Sequence, residues 1–248
     1  TILGTFLGAH AKDPDVSDYV DRTINETLPA VAEEFPGICC DAYCEEGAWS
    51  LEETTRLFNA AIEMGCPIRV HTDQFNSLGM TRRAIEMGAR SVDHLEAITE
   101  EDIALLGESS TVGVLLPASG FSLDQRYAPG RALIDAGAAI AIATNYNPGS
   151  APSPSMPMTI SLACRRAGLL PSEAIAAATR NAACVLGIES RHGRIEAGMQ
   201  ADMQIFDCHD ERELGWSFGN PPPPLIICRG EVIQFLGDAE LDGQEDSE

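Results

Sequence analysis

Three of the five histidines, His10, His71 and His94, each close a short apolar run, and Asn145 closes a fourth. Imidazole changes charge near neutrality and binds zinc or iron through a neutral ring nitrogen. Several imidazoles converging on one pocket have a definite chemistry within reach. They can hold a metal ion that keeps an open coordination position for water, and they can move the proton that hydrolysis releases. A single histidine at a strand end is more often a hydrogen-bonded structural residue. Three at equivalent positions, with Asp73 and Asp93 beside two of them, point instead to a site. His192 and His209 fall in a separate β-rich region and are expected at the surface.

For these side chains to meet, the runs that carry them must lie side by side and point the same way. Six β-rich runs end in a polar or small residue: 1–11, 37–45, 67–73, 89–96, 111–120 and 138–145. Helical patterns separate them at 17–34, 50–65, 79–88, 99–108 and 127–137. Two of these open on capping sequences, Ser50 with Glu53 and Thr99 with Asp102. Strands apolar on both faces, alternating with helices of this length, predict a parallel sheet covered by helices. No GxGxxG turn follows the first strand, which favours a barrel over an open nucleotide-binding sheet. The predicted fold class is therefore α/β, a partial (β/α)8 TIM barrel whose strands bring their C-terminal ends to one mouth. A complete barrel has eight strands in about 250 residues. With six strands before residue 187 and an abrupt start in mid-strand, two early strands are expected to be missing.

After residue 155 the pattern becomes helical, through MPMTISLACRRAG and PSEAIAAATRNAACVLG. Pro171 and Ser172 suit the start of the second helix and Gly187 its end. The period then changes to two. GRIEAGMQADMQIFD (193–207) and PLIICRGEVIQF (224–235) predict two strand pairs turning at Gly198 and Gly230, a small β-sandwich portion that cannot fold alone. The expected division is 1–187 for the barrel, 188–236 for part of a composite β-sandwich, and 237–248 for an acidic, disordered tail. The prolines at 221–224 are expected to form a rigid connector.

Lys plus Arg number 16 against 38 Asp plus Glu, and the resulting charge of −22 repels phosphate backbones and anionic lipid headgroups. Nucleic acid and membrane partners are set aside on that ground. A small-molecule substrate remains, and a homodimer is the assembly allowed for. The eight cysteines lack paired CxxC spacing and mostly sit in apolar stretches, as free buried thiols of a reducing, cytoplasmic protein do. No run approaches the roughly 18 apolar residues of a membrane span.

The order of motifs along the chain carries more than any one of them. LGAHA, DAYCEEG, VHTDQFNSLGM, SVDHLE, VLLPASGF, ATNYNPGSAPSPSM and GRIEAGMQADMQIFD follow one another over residues 1 to about 235. In sequence and spacing this resembles the imidazolonepropionases, members of the amidohydrolase superfamily. The resemblance implies a metal-dependent barrel enzyme that opens the cyclic amide of 4-imidazolone-5-propanoate, giving N-formimidoyl-L-glutamate in histidine degradation.

It also implies roles. One zinc or iron ion is held by an HxH pair on the first barrel strand, a middle-strand histidine matching His71, and a last-strand aspartate whose place is taken here by Asn145. The HxH pair has no counterpart in this chain. His94 matches the histidine that transfers the proton and orients the water, and His10 one that contacts the substrate. Gln74 stands where many relatives carry a catalytic and substrate-binding Glu. Asn147, Gly149 and Ser150 match the loop that grips the propionate and ring, although NPGS is turn chemistry in any protein. An amide at 145 coordinates weakly and cannot titrate, so the general-base role passes to His94. Asn145, Gln74 and the absent HxH keep open a catalytically silent binding protein built on the same barrel. Another amidohydrolase, a deaminase or a dihydroorotase-like enzyme, is the further alternative, against which the NPGS and LLPASGF pairing speaks.

Overall fold

The computed structural model describes residues 2–218 and 223–235, so the predicted tail at 237–248 and part of the proline connector lie outside the described residues. Six parallel strands, β1 (Thr5–Ala9), β2 (Cys39–Cys44), β3 (Ile68–Thr72), β4 (Ser91–His94), β5 (Val112–Leu115) and β6 (Ile140–Ile142), pair in sequence order. Helices cross over between successive strands, so all six C-terminal ends share one side, as the alternating pattern predicts.

Strand periodicity decides which residues reach the site. In β2, Cys40, Ala42 and Cys44 are fully buried and belong to the core cluster that includes Leu57, Phe58 and Trp49. The alternate residues, Asp41 and Tyr43, fall on the opposite face. Register continues this across the sheet, with Asp41 opposite Arg69, Tyr43 opposite His71, and His71 opposite Asp93. One face of the sheet therefore fills with aliphatic side chains beneath the helices, and the other collects charge.

The helices begin where capping chemistry places them. Ser50 Oγ accepts from the Glu53 N–H at 3.2 Å, and a Glu53 carboxylate oxygen accepts from the Ser50 N–H at 2.8 Å, closing a capping box on the helix Leu51–Glu63. Thr99 Oγ1 caps Glu100–Gly107 by accepting from the Asp102 N–H at 3.2 Å, without the reciprocal bond. Ser50→Ala should lower the free energy of unfolding by about 1 kcal/mol. A denaturant midpoint that does not move would show that the box contributes nothing.

Three elements differ from the sequence pattern. The apolar run 111–120 predicts one long strand, but β5 stops at Leu115 and Pro117–Ser122 is helical. Pro117 lacks the N–H a strand ladder needs, and its fixed φ suits a first helical turn. No strand pair forms around Gly198 among the described residues. Ile195 is 89% exposed, and a run with nothing to bury against has no reason to extend. What forms is a three-stranded antiparallel sheet, β7 (Met203–Ile205), β8 (Leu225–Cys228) and β9 (Glu231–Phe235), with the turn at Gly230 as predicted. His192, expected at the surface, is largely covered, its side chain 16% exposed and 3.5 Å from Asp202. A short helix unforeseen in the sequence, Arg212–Trp216, packs on Met156–Arg166, where Ser161 Oγ donates to the carbonyls of Gly215 and Ser217 at 3.2 and 2.8 Å.

Candidate metal centre and active site

At the C-terminal ends of β1, β3 and β4 the three imidazoles meet. The rings of His10 and His71 are 4.7 Å apart edge to face, and those of His71 and His94 are 5.4 Å apart. Strict alternation would put His94 with Val92, away from His71. His94 instead adopts φ +89°, and this left-handed turn brings its ring to the imidazole side. Asp73, Leu95 and Asn145 also have positive φ, so non-glycine strain gathers at the strand ends. Asp73 is turned the other way. Its carboxylate accepts from Thr81 Oγ1 at 2.6 Å and braces the loop into Met80–Glu86, so it does not join the imidazoles as its place beside them in sequence implies.

The residue that sequence reasoning missed is Asp41. It is fully buried, its Oδ1 lies 2.9 Å from His71 Nδ1, and its Oδ2 accepts from Arg69 Nε at 2.8 Å. Arg69 is held in turn through Thr5 Oγ1 at 2.9 Å. Burial by itself would raise the Asp41 carboxyl, but His71, His10 and Arg69 together hold it well below the usual carboxylate range. Burial likewise opposes a proton on His71, and Asp41 outweighs it, so the imidazole is raised above its ordinary value. Asp93, bonded to Ser91 Oγ at 2.6 Å, is pushed up by burial, with His71 opposing.

These directions set the sign of what each group contributes to the pH dependence of stability. A carboxylate with a lowered folded pKa stabilises the fold above its unfolded value of about 3.9, and that contribution is lost as pH falls. A histidine with a raised folded pKa stabilises fully below about 6.5, and that contribution is lost as pH rises through the folded value. The Asp41 and His71 pair should therefore give a melting-temperature plateau between about pH 4 and 6.5, falling on both sides. Asp93 acts in the opposite sense on the acid side, favouring the fold as its carboxyl protonates. Asp41→Asn should flatten the acid limb in a pH series of thermal melts, and an unchanged limb would assign it to other carboxylates.

A second layer holds the remaining groups. Glu96 Oε1 lies 3.3 Å from His94 Nδ1, and both side chains are almost wholly buried. Tyr43 OH donates to Gln74 Oε1 at 3.0 Å. Glu45 accepts from the N–H groups of Phe75 and Asn76 at 2.9 and 3.1 Å, clamping the loop that carries Gln74. Gln74, Glu96, Ser119 and Arg126 line one hollow, and Glu96 links it to His94.

Asn145 reaches that hollow only through Ser119. Its Nδ2 donates to Ser119 Oγ at 2.7 Å, and no hydrogen bond joins it to an imidazole among the described residues. Asn147 Oδ1 accepts from the N–H groups of Gly149 and Ser150, both at 2.8 Å, while its Nδ2 donates to the Asn145 carbonyl at 2.7 Å. In this conformation the loop 145–150 satisfies its own donors, the turn chemistry that NPGS encodes.

The charged face fits a metal ion. His10 Nε2 is buried with no hydrogen-bond partner, and the 3.4 Å to Asp41 Oδ1 is an ion-pair contact without hydrogen-bond alignment. Ligand atoms of His10, Asp41 and His71 all lie within 4.8 Å of one another. Imidazole nitrogen and carboxylate oxygen are the donor types that a first-row ion such as zinc or iron takes.

The profile described as "Amidohydrolase family" matches residues 4–236. The chain belongs to the amidohydrolase family. Among curated relatives, the imidazolonepropionase of Herpetosiphon aurantiacus is 41% identical over 94% of this chain and 57% of its own length. That of Rubrobacter xylanophilus is 40% identical over 92% of this chain and 55% of its own length. This amidohydrolase chain thus spans a little over half the length of the curated relatives it matches. Among solved structures, a Xanthomonas campestris adenosine deaminase with bound zinc superposes with a TM-score of 0.74 over 95% of this chain and 61% of its own. A triazine hydrolase variant gives 0.72 over 92% and 59%. At 18% and 17% identity these two share the fold.

Beside Asp41, the partners that orient the imidazoles and Gln74 in this amidohydrolase also escaped sequence reasoning. Tyr43 and Glu45 lie in DAYCEEG and Glu96 in SVDHLE. The signal was available, since Asp41 lies one alternation before Tyr43 on a strand whose other residues are apolar or Cys. A charge in such a strand calls for a partner.

Proposed function

We propose that this chain carries the active-site mouth of an imidazolonepropionase, within a barrel part at 1–187 followed by a sandwich part at 188–236. Water would be added across the ring C–N bond of 4-imidazolone-5-propanoate, releasing N-formimidoyl-L-glutamate. The observation that carries the reading is the meeting of three imidazoles at adjoining strand ends, in a chain 41% identical to a curated imidazolonepropionase.

In this reading His71 and Asn145 would hold one zinc or iron ion, which when bound would supply Lewis acidity for the hydrolysis. His94, steadied by Glu96, accepts a proton from the attacking water and returns it to the ring nitrogen as the C–N bond breaks. Gln74, fixed by Tyr43, acts with His94 in catalysis and also contacts the substrate. His10 faces the ring, and Asn147, Gly149 and Ser150 rearrange their internal bonds to meet the propionate. All eight cysteines are free thiols, which supports a reducing, cytoplasmic setting for this chemistry.

The amide of Asn145, bonded to Ser119 in place of a charged group, favours a second reading, a silent protein that binds the same ligand. Metal content and turnover of 4-imidazolone-5-propanoate, measured on the protein expressed from its complete gene, separate the two. Ring opening that chelation abolishes and zinc or iron restores supports the enzyme. Metal-free protein that binds the ligand and leaves it intact supports the silent reading.

A further inference from the structure

Asp41 can serve the site in two distinct ways, as a ligand alongside His10 and His71, or as the group that orients His71. The geometry points to the second: Asp41 is a positioning residue that locks the His71 ring with Nδ1–H on Asp41 Oδ1, leaving Nε2 as the nitrogen that faces the mouth. The inference rests on the metal reading above.

Three observations converge on it. The Nδ1 to Oδ1 separation of 2.9 Å is a hydrogen-bond length, and a donated Nδ1–H leaves Nε2 as the lone-pair nitrogen of the neutral ring. The second carboxylate oxygen is engaged by Arg69 Nε at 2.8 Å, and Arg69 is anchored on Thr5. A carboxylate already neutralised by a guanidinium is a poor additional ligand, because a divalent ion placed on it would face that positive charge at close range. The pairing also spans three neighbouring strands, β1, β2 and β3, with Asp41 directly opposite Arg69 in the ladder, so backbone pairing fixes where the carboxylate stands. A ligating histidine whose second nitrogen is held by a carboxylate keeps both its tautomer and its ring orientation, and loss of such a partner typically costs 10- to 100-fold in metal affinity.

The test is proton NMR of the protein from its complete gene, labelled with nitrogen-15 at histidine and titrated with zinc chloride, together with zinc affinity by chelator competition. The expected result is a downfield Nδ1–H signal, absent in His71→Gln, that is present without metal and persists at zinc saturation. Asp41→Ala should abolish that signal and weaken zinc binding 10- to 100-fold. Asp41→Asn keeps an acceptor oxygen, so it should retain the signal and most of the affinity, and it carries the comparison if the Ala variant does not fold. A signal missing from the unmodified metal-free protein, one that vanishes on zinc saturation, or an Asp41→Ala variant that folds and binds zinc as tightly as the unmodified protein would overturn the inference. A signal that is present in unmodified protein taking up no zinc supports the Asp41 lock and refutes the metal reading, so the two failures are distinguishable.

Discussion

In the protein from its complete gene, and under the proposed ring opening, His94→Ala should lower kcat by about 10² to 10⁴, the usual range for losing a general acid or base, with little change in KM. The size of the effect follows from the site. An amide at 145 cannot accept a proton, so no last-strand carboxylate shares the task. Glu96 contacts His94 Nδ1 at 3.3 Å, so the loss of the imidazole also removes the group that Glu96 steadies. Thermal melts separate loss of chemistry from loss of fold, because His94 is buried and its removal leaves a small cavity. Unchanged turnover in a folded variant would end the proton-transfer role, and a loss of kcat equal to the loss of folded protein would reduce His94 to a structural residue.

Asn145→Asp is the second variant, and here the expected change is a gain. A carboxylate at this position should strengthen zinc or iron binding by about 10- to 100-fold, the scale on which partners at a metal site act. The surroundings accept the exchange. Ser119 Oγ, now the acceptor of the amide N–H at 2.7 Å, can rotate its own proton toward a carboxylate oxygen. Asp tolerates the positive φ of +50° at this position as Asn does. Chelator competition reads the affinity, and turnover shows whether the gain reaches catalysis. If neither moves, position 145 contributes nothing to the ion, and the mouth is organised by the imidazole side of the sheet.

The barrel order of strands and helices was legible in the sequence because each strand is apolar on two faces and each connection carries a helix with its own caps. Ser50 with Glu53 and Thr99 with Asp102 do in the structure what their spacing predicts. The meeting of His10, His71 and His94 was legible for a similar reason, since equivalent positions on parallel strands converge whatever lies between them. Asp41 was not, because its role depends on lateral register: it is opposite Arg69 and within reach of His71 through strand pairing that no local pattern encodes. Asp73 misled for the complementary reason. Adjacency to His71 in sequence says nothing about direction once the backbone enters a left-handed conformation. The strand predicted through residue 120 ended early because hydrophobicity alone does not distinguish a ladder from a short helix begun by proline.

The left-handed residues at the strand ends bear on how this protein can be improved. Asp73, His94, Leu95 and Asn145 hold conformations that glycine would adopt freely, and a bulky or branched side chain there costs of order 1 to 3 kcal/mol. A laboratory screen for heat resistance alone would be drawn to these positions, above all to His94, where durability and usefulness pull in opposite directions. Hardening this molecule without silencing it means leaving the strand ends untouched and working on the helices that cover the sheet.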